Sequence, residues 1–144
     1  MNITVYLGAN EGNDHSLKKA VADFGTWIGK TNNTLVYGGS RIGLMVTENM
    51  SERKAKMIEL GDAFVAFPGG TGTLEEISEI MSMVSLNHTN APCIIFNLHG
   101  YYDGLKALLD KMIEMDLSSI ERQKGIYFVS TLEEVENILT PKNF

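Results

Sequence analysis

The stretch that decides the fold is Ala63-Phe64-Val65-Ala66-Phe67-Pro68-Gly69-Gly70-Thr71-Gly72-Thr73-Leu74-Glu75-Glu76. An unbroken apolar run of five reads as a strand buried on both faces, and the segment from Leu74 to Leu86 reads as a helix. Between them, glycines and threonines form a strand-to-helix turn. Such a turn leaves backbone N–H groups unpaired at the positive end of a helix, which is a physical receptor for a phosphate. The carboxylates Glu75 and Glu76 stand in the turn of helix just behind it. Phosphate recognition alone has no use for them, so chemistry beyond charge recognition is implied.

Outward from this turn the pattern repeats. Ile3 to Leu7 is a strand followed by Gly8-Ala9-Asn10-Glu11-Gly12-Asn13, and Asp14 or Ser16 caps the next helix. There Leu17, Val21, Phe24 and Ile28 form a core-facing stripe, with Ala20 and Trp27 beside it. Thr34-Leu35-Val36-Tyr37 is a second strand ending in Gly38-Gly39-Ser40, and a helical stretch falls between Arg41 and Leu60. After the central motif come a strand at Cys93-Ile94-Ile95-Phe96 and a helix opened by Gly100-Tyr101-Tyr102-Asp103, with Leu105, Leu108, Leu109 and Met112 on one face. A last strand, Ile126-Tyr127-Phe128-Val129, precedes a short helix capped by Ser130-Thr131. Strands alternating with helices, each strand a continuous apolar run, define a doubly wound α/β domain: a parallel sheet with helices on both faces. Right-handed crossovers then bring the glycine turns after Leu7, Tyr37 and Phe67 to one edge of the sheet. With 144 residues, the whole chain reads as a single domain, residues 1–144.

Composition narrows the function. The net charge of −6 and the lack of a basic run argue against nucleic acid as a partner. Cys93, the only cysteine, lies in an apolar strand and reads as a core residue rather than a nucleophile. His15, His88 and His99 lack metal-ligand spacing, and neither a metal nor a cofactor is assigned. The segment Met1 to Val5 lacks the basic and apolar regions of a signal peptide, and no apolar stretch is long enough for a membrane span, so a cytoplasmic location without membrane contact is expected.

Four blocks resemble a known family. They are Tyr37-Gly38-Gly39-Ser40-Arg41-Ile42-Gly43-Leu44-Met45 (YGGxxxGLM), Met50-Ser51-Glu52-Arg53-Lys54 (MxxRK), Pro68 to Glu76 (PGGxGTxxE) and Asn97 with Gly100-Tyr101-Tyr102-Asp103. The chain is similar over essentially its whole length to the Lonely Guy family of cytokinin riboside 5′-monophosphate phosphoribohydrolases, once labelled lysine decarboxylases. The resemblance implies a Rossmann-like nucleotide-binding domain that hydrolyses the N-glycosidic bond of a nucleoside 5′-monophosphate, such as AMP or a cytokinin riboside 5′-monophosphate. The products are a free base and ribose 5-phosphate. It also implies a homodimer with active sites near the interface. No lysine stands in a pyridoxal-phosphate setting, so the decarboxylase label finds no support.

The resemblance assigns catalysis to Glu76 and Arg53. A carboxylate near the anomeric carbon stabilises the positive charge that builds on the ribose, holds a ribose hydroxyl, or orients the attacking water. A guanidinium clamps phosphate or hydrogen-bonds the departing base, and does not serve as a general base. Without the resemblance, Arg53-Lys54 reads as a solvated helix face and Glu75 as a partner of the helix dipole. Substrate contacts are expected from Lys54, Gly70, Thr71, Gly72, Thr73, Leu74, Glu75, Glu76 and Ser82, with the Thr73 hydroxyl aimed at the phosphate. Gly38, Gly39 and Gly43 are expected near the sugar or base, although turn geometry alone also accounts for them. Met81, Met83, Val84 and Leu86 make the helix after the motif apolar on more than one face, as burial or a second subunit requires. The competing function is a nucleotide-binding or carrier protein of the same fold that performs no chemistry.

The chain departs from the family in three places, one of them Val46, which stands where the family has a glycine after GLM. Gly8-Ala9-Asn10 replaces a GSS-like first loop. Between Met45 and Met50 stand only Val46-Thr47-Glu48-Asn49, where the family carries a further helix and strand. About thirty to forty residues, one βαβ-sized unit, are lacking. They are lost either by a deletion in the protein or by omission of a segment from the sequence. A single helix from Arg41 to Leu60 would close the gap, but Arg53 and Lys56 interrupt its inner face, which favours omission or engineered loss. The family draws a substrate-contacting glutamate from this region.

Overall fold

The computed structural model describes residues 1–38 and 49–140. Gly39, Gly43 and the Leu44-Met45 part of the YGGxxxGLM block lie outside the described residues. In chain order the elements are β1 (Asn2–Tyr6), α1 (His15–Lys30), β2 (Thr34–Tyr37), α2 (Met50–Leu60), β3 (Ala63–Ala66), α3 (Thr71–Ser85), β4 (Cys93–Phe96), a single 3-10 turn at Leu98–Gly100, α4 (Asp103–Glu114), β5 (Ile126–Val129) and α5 (Leu132–Leu139).

The five strands among the described residues are all parallel, in the order β2-β1-β3-β4-β5. The period-2 geometry of the strands divides their side chains between two cores. On one face Ile3, Val5, Val65, Phe67, Ile94 and Phe96 pack with Phe24 and Ile28 of α1 and with Val135 and Leu139 of α5. On the other, Tyr6, Phe64, Ala66, Cys93 and Ile95 pack with Met57 of α2, Ile77, Ile80, Met81 and Val84 of α3, and Leu109 of α4. The fold is the doubly wound α/β domain expected from the sequence.

Several local expectations are corrected. Burial on both faces holds for β3 and β4, which are buried throughout, but not for β2 or β5. These are the two edges of the sheet, and Leu35 and Tyr37 of β2 are 40% and 50% exposed. A helix running unbroken from Arg41 to Leu60 does not form. Asn49 is extended and its side-chain oxygen accepts from the Glu52 N–H at 2.9 Å, so α2 starts at Met50. Helix α3 begins at Thr71, three residues earlier than its apolar pattern indicates. Leu108 falls off the buried stripe of α4 and is 53% exposed. Leu86, at the end of α3, is exposed as well. Among the described residues no helix is long and apolar enough to cross a membrane.

The order 2-1-3-4-5 has a consequence for function. From β1 the chain steps outward to β2, then returns past β1 to β3. The chain therefore leaves β1 and β3 for helices on opposite faces of the sheet and opens a crevice at the carboxyl edge, the usual ligand position in this class.

Candidate functional site

A cavity of about 810 Å³ occupies that crevice. Its walls come from the loop after β1 (Leu7 to Asn10), Gly38 after β2, Arg53 and Lys54 of α2, the Pro68–Thr73 turn, Glu75 and Glu76 of α3, and His99 and Tyr101 after β4. The volume lies within the usual range for small-molecule sites.

The central turn rests on an aromatic base. Phe67 is fully buried, with its ring 5.5 Å from Phe24 and 4.9 Å from Phe96, so the chain enters Pro68 from a fixed point. Gly70 is the N-cap of α3, and with no side chain it makes no capping bond. The first helical bond runs from the Leu74 N–H to the Gly70 carbonyl at 3.1 Å. Among the described residues, the N–H groups of Gly70, Thr71, Gly72 and Thr73 have no protein acceptor. Four unpaired donors at a helix N-terminus are what an anion needs.

Packing explains some of these glycines and not others. A Cβ on Gly69 would lie 2.8 Å from the Thr73 Cβ and 3.0 Å from the Gly8 nitrogen, and one on Gly8 would lie 3.1 Å from the Gly69 Cα. The loops after β1 and β3 thus touch backbone to backbone: a Cβ has no room at Gly69, and one at Gly8 would press on the Gly69 Cα. At Gly70 and Gly72 a Cβ would meet nothing within 4 Å. Thr73 is 3% exposed, with its side chain under Gly69, so its hydroxyl is part of the turn's packing.

The charged residues divide into two sets. The Lys54 ammonium lies 2.5 Å from Glu75 and 3.5 Å from Glu79, tying α2 to α3; the bond to Glu75 raises the Lys54 pKa. Glu76 points elsewhere, as the 100° step of a helix requires. It is half-buried at the cavity wall, and burial raises its carboxyl pKa above the ordinary glutamate value. The charge of Glu75 adds to that rise, while Lys54 and Arg53 oppose it. Arg53 also lines the cavity. Among the described residues it has no carboxylate within 4 Å, so its guanidinium remains available. A Cβ on Gly38 would stand 2.7 Å from its Nη2 and 2.8 Å from its Nε, so glycine at 38 makes room for that guanidinium.

The cavity therefore gathers Arg53, Lys54, Gly38, Gly70, Thr71, Gly72, Thr73, Glu75 and Glu76. It does not gather Leu74, which is 42% exposed on α3, or Ser82, which is exposed further along the same helix. Gly39 lies outside the described residues. Cys93 is fully buried and burial pushes its thiol up to about 12, consistent with a core role.

Tertiary structure adds residues whose roles the sequence did not signal. The Tyr101 hydroxyl donates to the Gly69 carbonyl, and the Tyr102 hydroxyl donates to the Phe67 carbonyl at 2.7 Å. Asn97 shapes this turn: its side-chain oxygen accepts from the Tyr102 N–H at 2.6 Å, and its amide donates to Asp103 at 2.8 Å. In the same turn, His99 Nε2 lies 2.8 Å from the Ser16 hydroxyl, which donates to Asp14 at 2.6 Å, joining α1 to the turn after β4.

Fold and crevice together define the class: a doubly wound α/β domain with its cavity at the switch point between β1 and β3. A family profile described as "Possible lysine decarboxylase" matches residues 18–139. Cytokinin riboside 5′-monophosphate phosphoribohydrolase LOG1 of Arabidopsis thaliana is 32% identical over 148 residues, covering 78% of this chain and 70% of the relative. LOG3 of the same plant is 30% identical over 169 residues, covering 92% of this chain and 79% of the relative. A cytokinin riboside 5′-monophosphate phosphoribohydrolase of Rhodococcoides fascians is 31% identical over 146 residues, covering 76% and 74%. The chain belongs to this family, the Lonely Guy family anticipated from its motifs. An alignment of 169 positions is longer than the 144-residue chain, so that relative carries residues with no counterpart here.

Proposed function

We propose that the protein hydrolyses the N-glycosidic bond of a nucleoside 5′-monophosphate, AMP or a cytokinin riboside 5′-monophosphate, to free base and ribose 5-phosphate. The observation that carries this reading is the placement of Arg53 and Glu76 in one cavity with four unpaired N–H groups at the start of α3. The N–H groups receive the 5′-phosphate and fix the ribose relative to α3. Glu76, three residues beyond Thr73, faces the sugar. Its ionised form stabilises the positive charge that grows at the anomeric carbon as the bond to the base stretches. Arg53, from α2, donates hydrogen bonds to the phosphate or the departing base. Lys54 acts through Glu75 and Glu79, and its positive charge also helps keep Glu76 ionised.

A homodimer belongs to the same reading. Leu74, Ser82 and Leu86 of α3 are exposed in the single chain. A second copy over this helix would bring Leu74 and Ser82 to the neighbourhood of a substrate.

The test is incubation with AMP, and separately with a prenylated AMP, followed by analysis for free base and ribose 5-phosphate. Release of both products supports the reading. Nucleotide binding without release at high protein concentration overturns it in favour of a binder that performs no chemistry. That second reading is favoured by one observation, the residues that the relatives carry and this chain lacks.

A further inference from the structure

We infer that Tyr101 is a positioning residue that locks the Gly69–Gly70 peptide in the orientation that presents the Gly70 N–H to the phosphate. The inference rests on the phosphate reading of this turn and deepens it.

A Gly-Gly peptide has no side chain to hold its plane, and both residues tolerate a wide range of backbone angles. Rotation of that one plane would replace a donor facing the anion with a carbonyl facing it. Something outside the turn must fix the plane, and Tyr101 does so. Its hydroxyl donates to the Gly69 carbonyl oxygen. The chain contains no cis peptide bond among the described residues, and in a trans peptide the C=O and the following N–H point in opposite directions. Holding the Gly69 carbonyl therefore sets the direction of the Gly70 N–H.

The sheet order makes that direction useful. β3 lies between β1 and β4, so the turn after β3 has the loop after β1 on one side and the turn after β4 on the other. Tyr101 reaches in from the β4 side. The Gly70 nitrogen lies toward the β1 side, 3.8 Å from the Cβ position of Gly8, and has no acceptor among the described residues. The carbonyl is thus held toward Tyr101 on the β4 side of the crevice and the amide is left facing the β1 side.

Tyr102 provides an internal control. Its hydroxyl holds the Phe67 carbonyl, which belongs to the peptide before Pro68. Proline has no N–H, so fixing that plane orients no donor. Tyr102 is buried and Tyr101 is more than half exposed, with their rings edge to face at 4.9 Å. Loss of the Tyr102 hydroxyl is a stability defect; loss of the Tyr101 hydroxyl is a binding defect.

The experiment compares wild type, Tyr101→Phe and Tyr102→Phe for binding of AMP and of adenosine by calorimetry, with a thermal melt of each. Tyr101 is exposed enough that removing one oxygen leaves folding intact. Tyr101→Phe is expected to weaken AMP binding about tenfold, at the upper end of one hydrogen bond's net worth, and to leave adenosine binding unchanged. Tyr102→Phe is expected to melt earlier with wild-type AMP affinity. Wild-type AMP affinity in Tyr101→Phe overturns the lock and leaves the phosphate site standing. Equal loss of AMP affinity in both variants overturns it too, because the defect is then a general loosening of the turn. Equal affinity of the wild type for AMP and adenosine overturns the phosphate reading itself, and the lock with it.

Discussion

Replacing Gly38 by alanine tests whether Arg53 acts in place. The added Cβ would lie 2.7 Å from Nη2, 2.8 Å from Nε and 3.1 Å from Cζ of Arg53. Ordinary non-bonded contacts begin near 3.5 Å, so the guanidinium must withdraw by roughly 1 Å. Gly38 does not have a positive φ, so its backbone accepts alanine without strain, and the group that moves is the free end of a long side chain. Stability should therefore change by no more than about 0.5 kcal/mol. Activity should change far more, because a 1 Å misplacement of a reacting group costs on the order of 10²-fold. The assay is kcat/KM for release of free base from AMP, with a thermal melt as control. In an Arg53→Lys background no fork fills the space over Gly38, so adding Gly38→Ala there should cost less than about twofold. Two results refute the reasoning: wild-type kcat/KM in Gly38→Ala, or the same loss in the Arg53→Lys background.

Glu76→Gln should lower kcat by about 10²- to 10³-fold with AMP affinity retained; unchanged turnover removes Glu76 from catalysis. The same variant should melt above wild type at neutral pH. Burial raises the Glu76 carboxyl in the folded protein, so the folded state favours the neutral form, and stability is lost as pH rises through the folded value. Glutamine has nothing to ionise, so the gap between the two melts should close below the ordinary glutamate pKa, and a constant gap refutes the account. Lys54→Gln removes a positive charge that holds the Glu76 carboxyl down, so the acidic limb of the kcat/KM profile should move to higher pH; an unmoved limb refutes the coupling. Gly72→Ala should gain up to about 1 kcal/mol of helix propensity, because the added methyl meets no protein atom, while AMP binding weakens. Gly69→Ala should instead lose about 1–3 kcal/mol by denaturation, because its methyl meets the Thr73 side chain and the Gly8 backbone. Opposite signs at these two positions separate glycines kept for a ligand from glycines kept for packing.

The strands were legible because apolar runs bounded by Gly, Asn, Asp and Pro have few other readings. β2, β4 and β5 fall at the expected residues, and β1 and β3 within one. Exposure was not legible for β2, because Leu35-Val36-Tyr37 looks the same at a sheet edge as in its middle and only the pairing order distinguishes them. The start of α3 was missed because Thr71, Gly72 and Thr73 have poor helix propensity; the open first turn they form is the feature of interest. Within the site, motif order pointed to Arg53 and Glu76 and strand-to-helix chemistry to the glycine turn. The contacts that support them span long sequence separations: Tyr101 to Gly69 across 32 residues, Tyr102 to Phe67 across 35, Lys54 to Glu75 across 21. No local pattern encodes such pairs, because each depends on which strands become neighbours.

The strand order also bears on what the shorter chain retains. Arg53 comes from α2, the anion-binding N–H groups and Glu76 from α3, and Tyr101 from the turn before α4. These three helices pack on one face of the sheet, over Tyr6, Phe64, Ala66, Cys93 and Ile95. Their mutual positions follow from α2 leading directly into β3, beside β1, and from the Lys54 bridge between α2 and α3. The β2 edge forms the outer flank of the crevice, where Gly38 and Arg53 stand; among the described residues β2 pairs with β1 alone. Arg53 is thus the proposed catalytic group that stands nearest the β2 edge, with its guanidinium beside Gly38. Substitutions at the β2 edge should accordingly affect reactions that depend on Arg53 before they affect phosphate binding at the start of α3. A Tyr37→Ala variant that loses AMP affinity while keeping kcat would reverse that order and refute this division of the site.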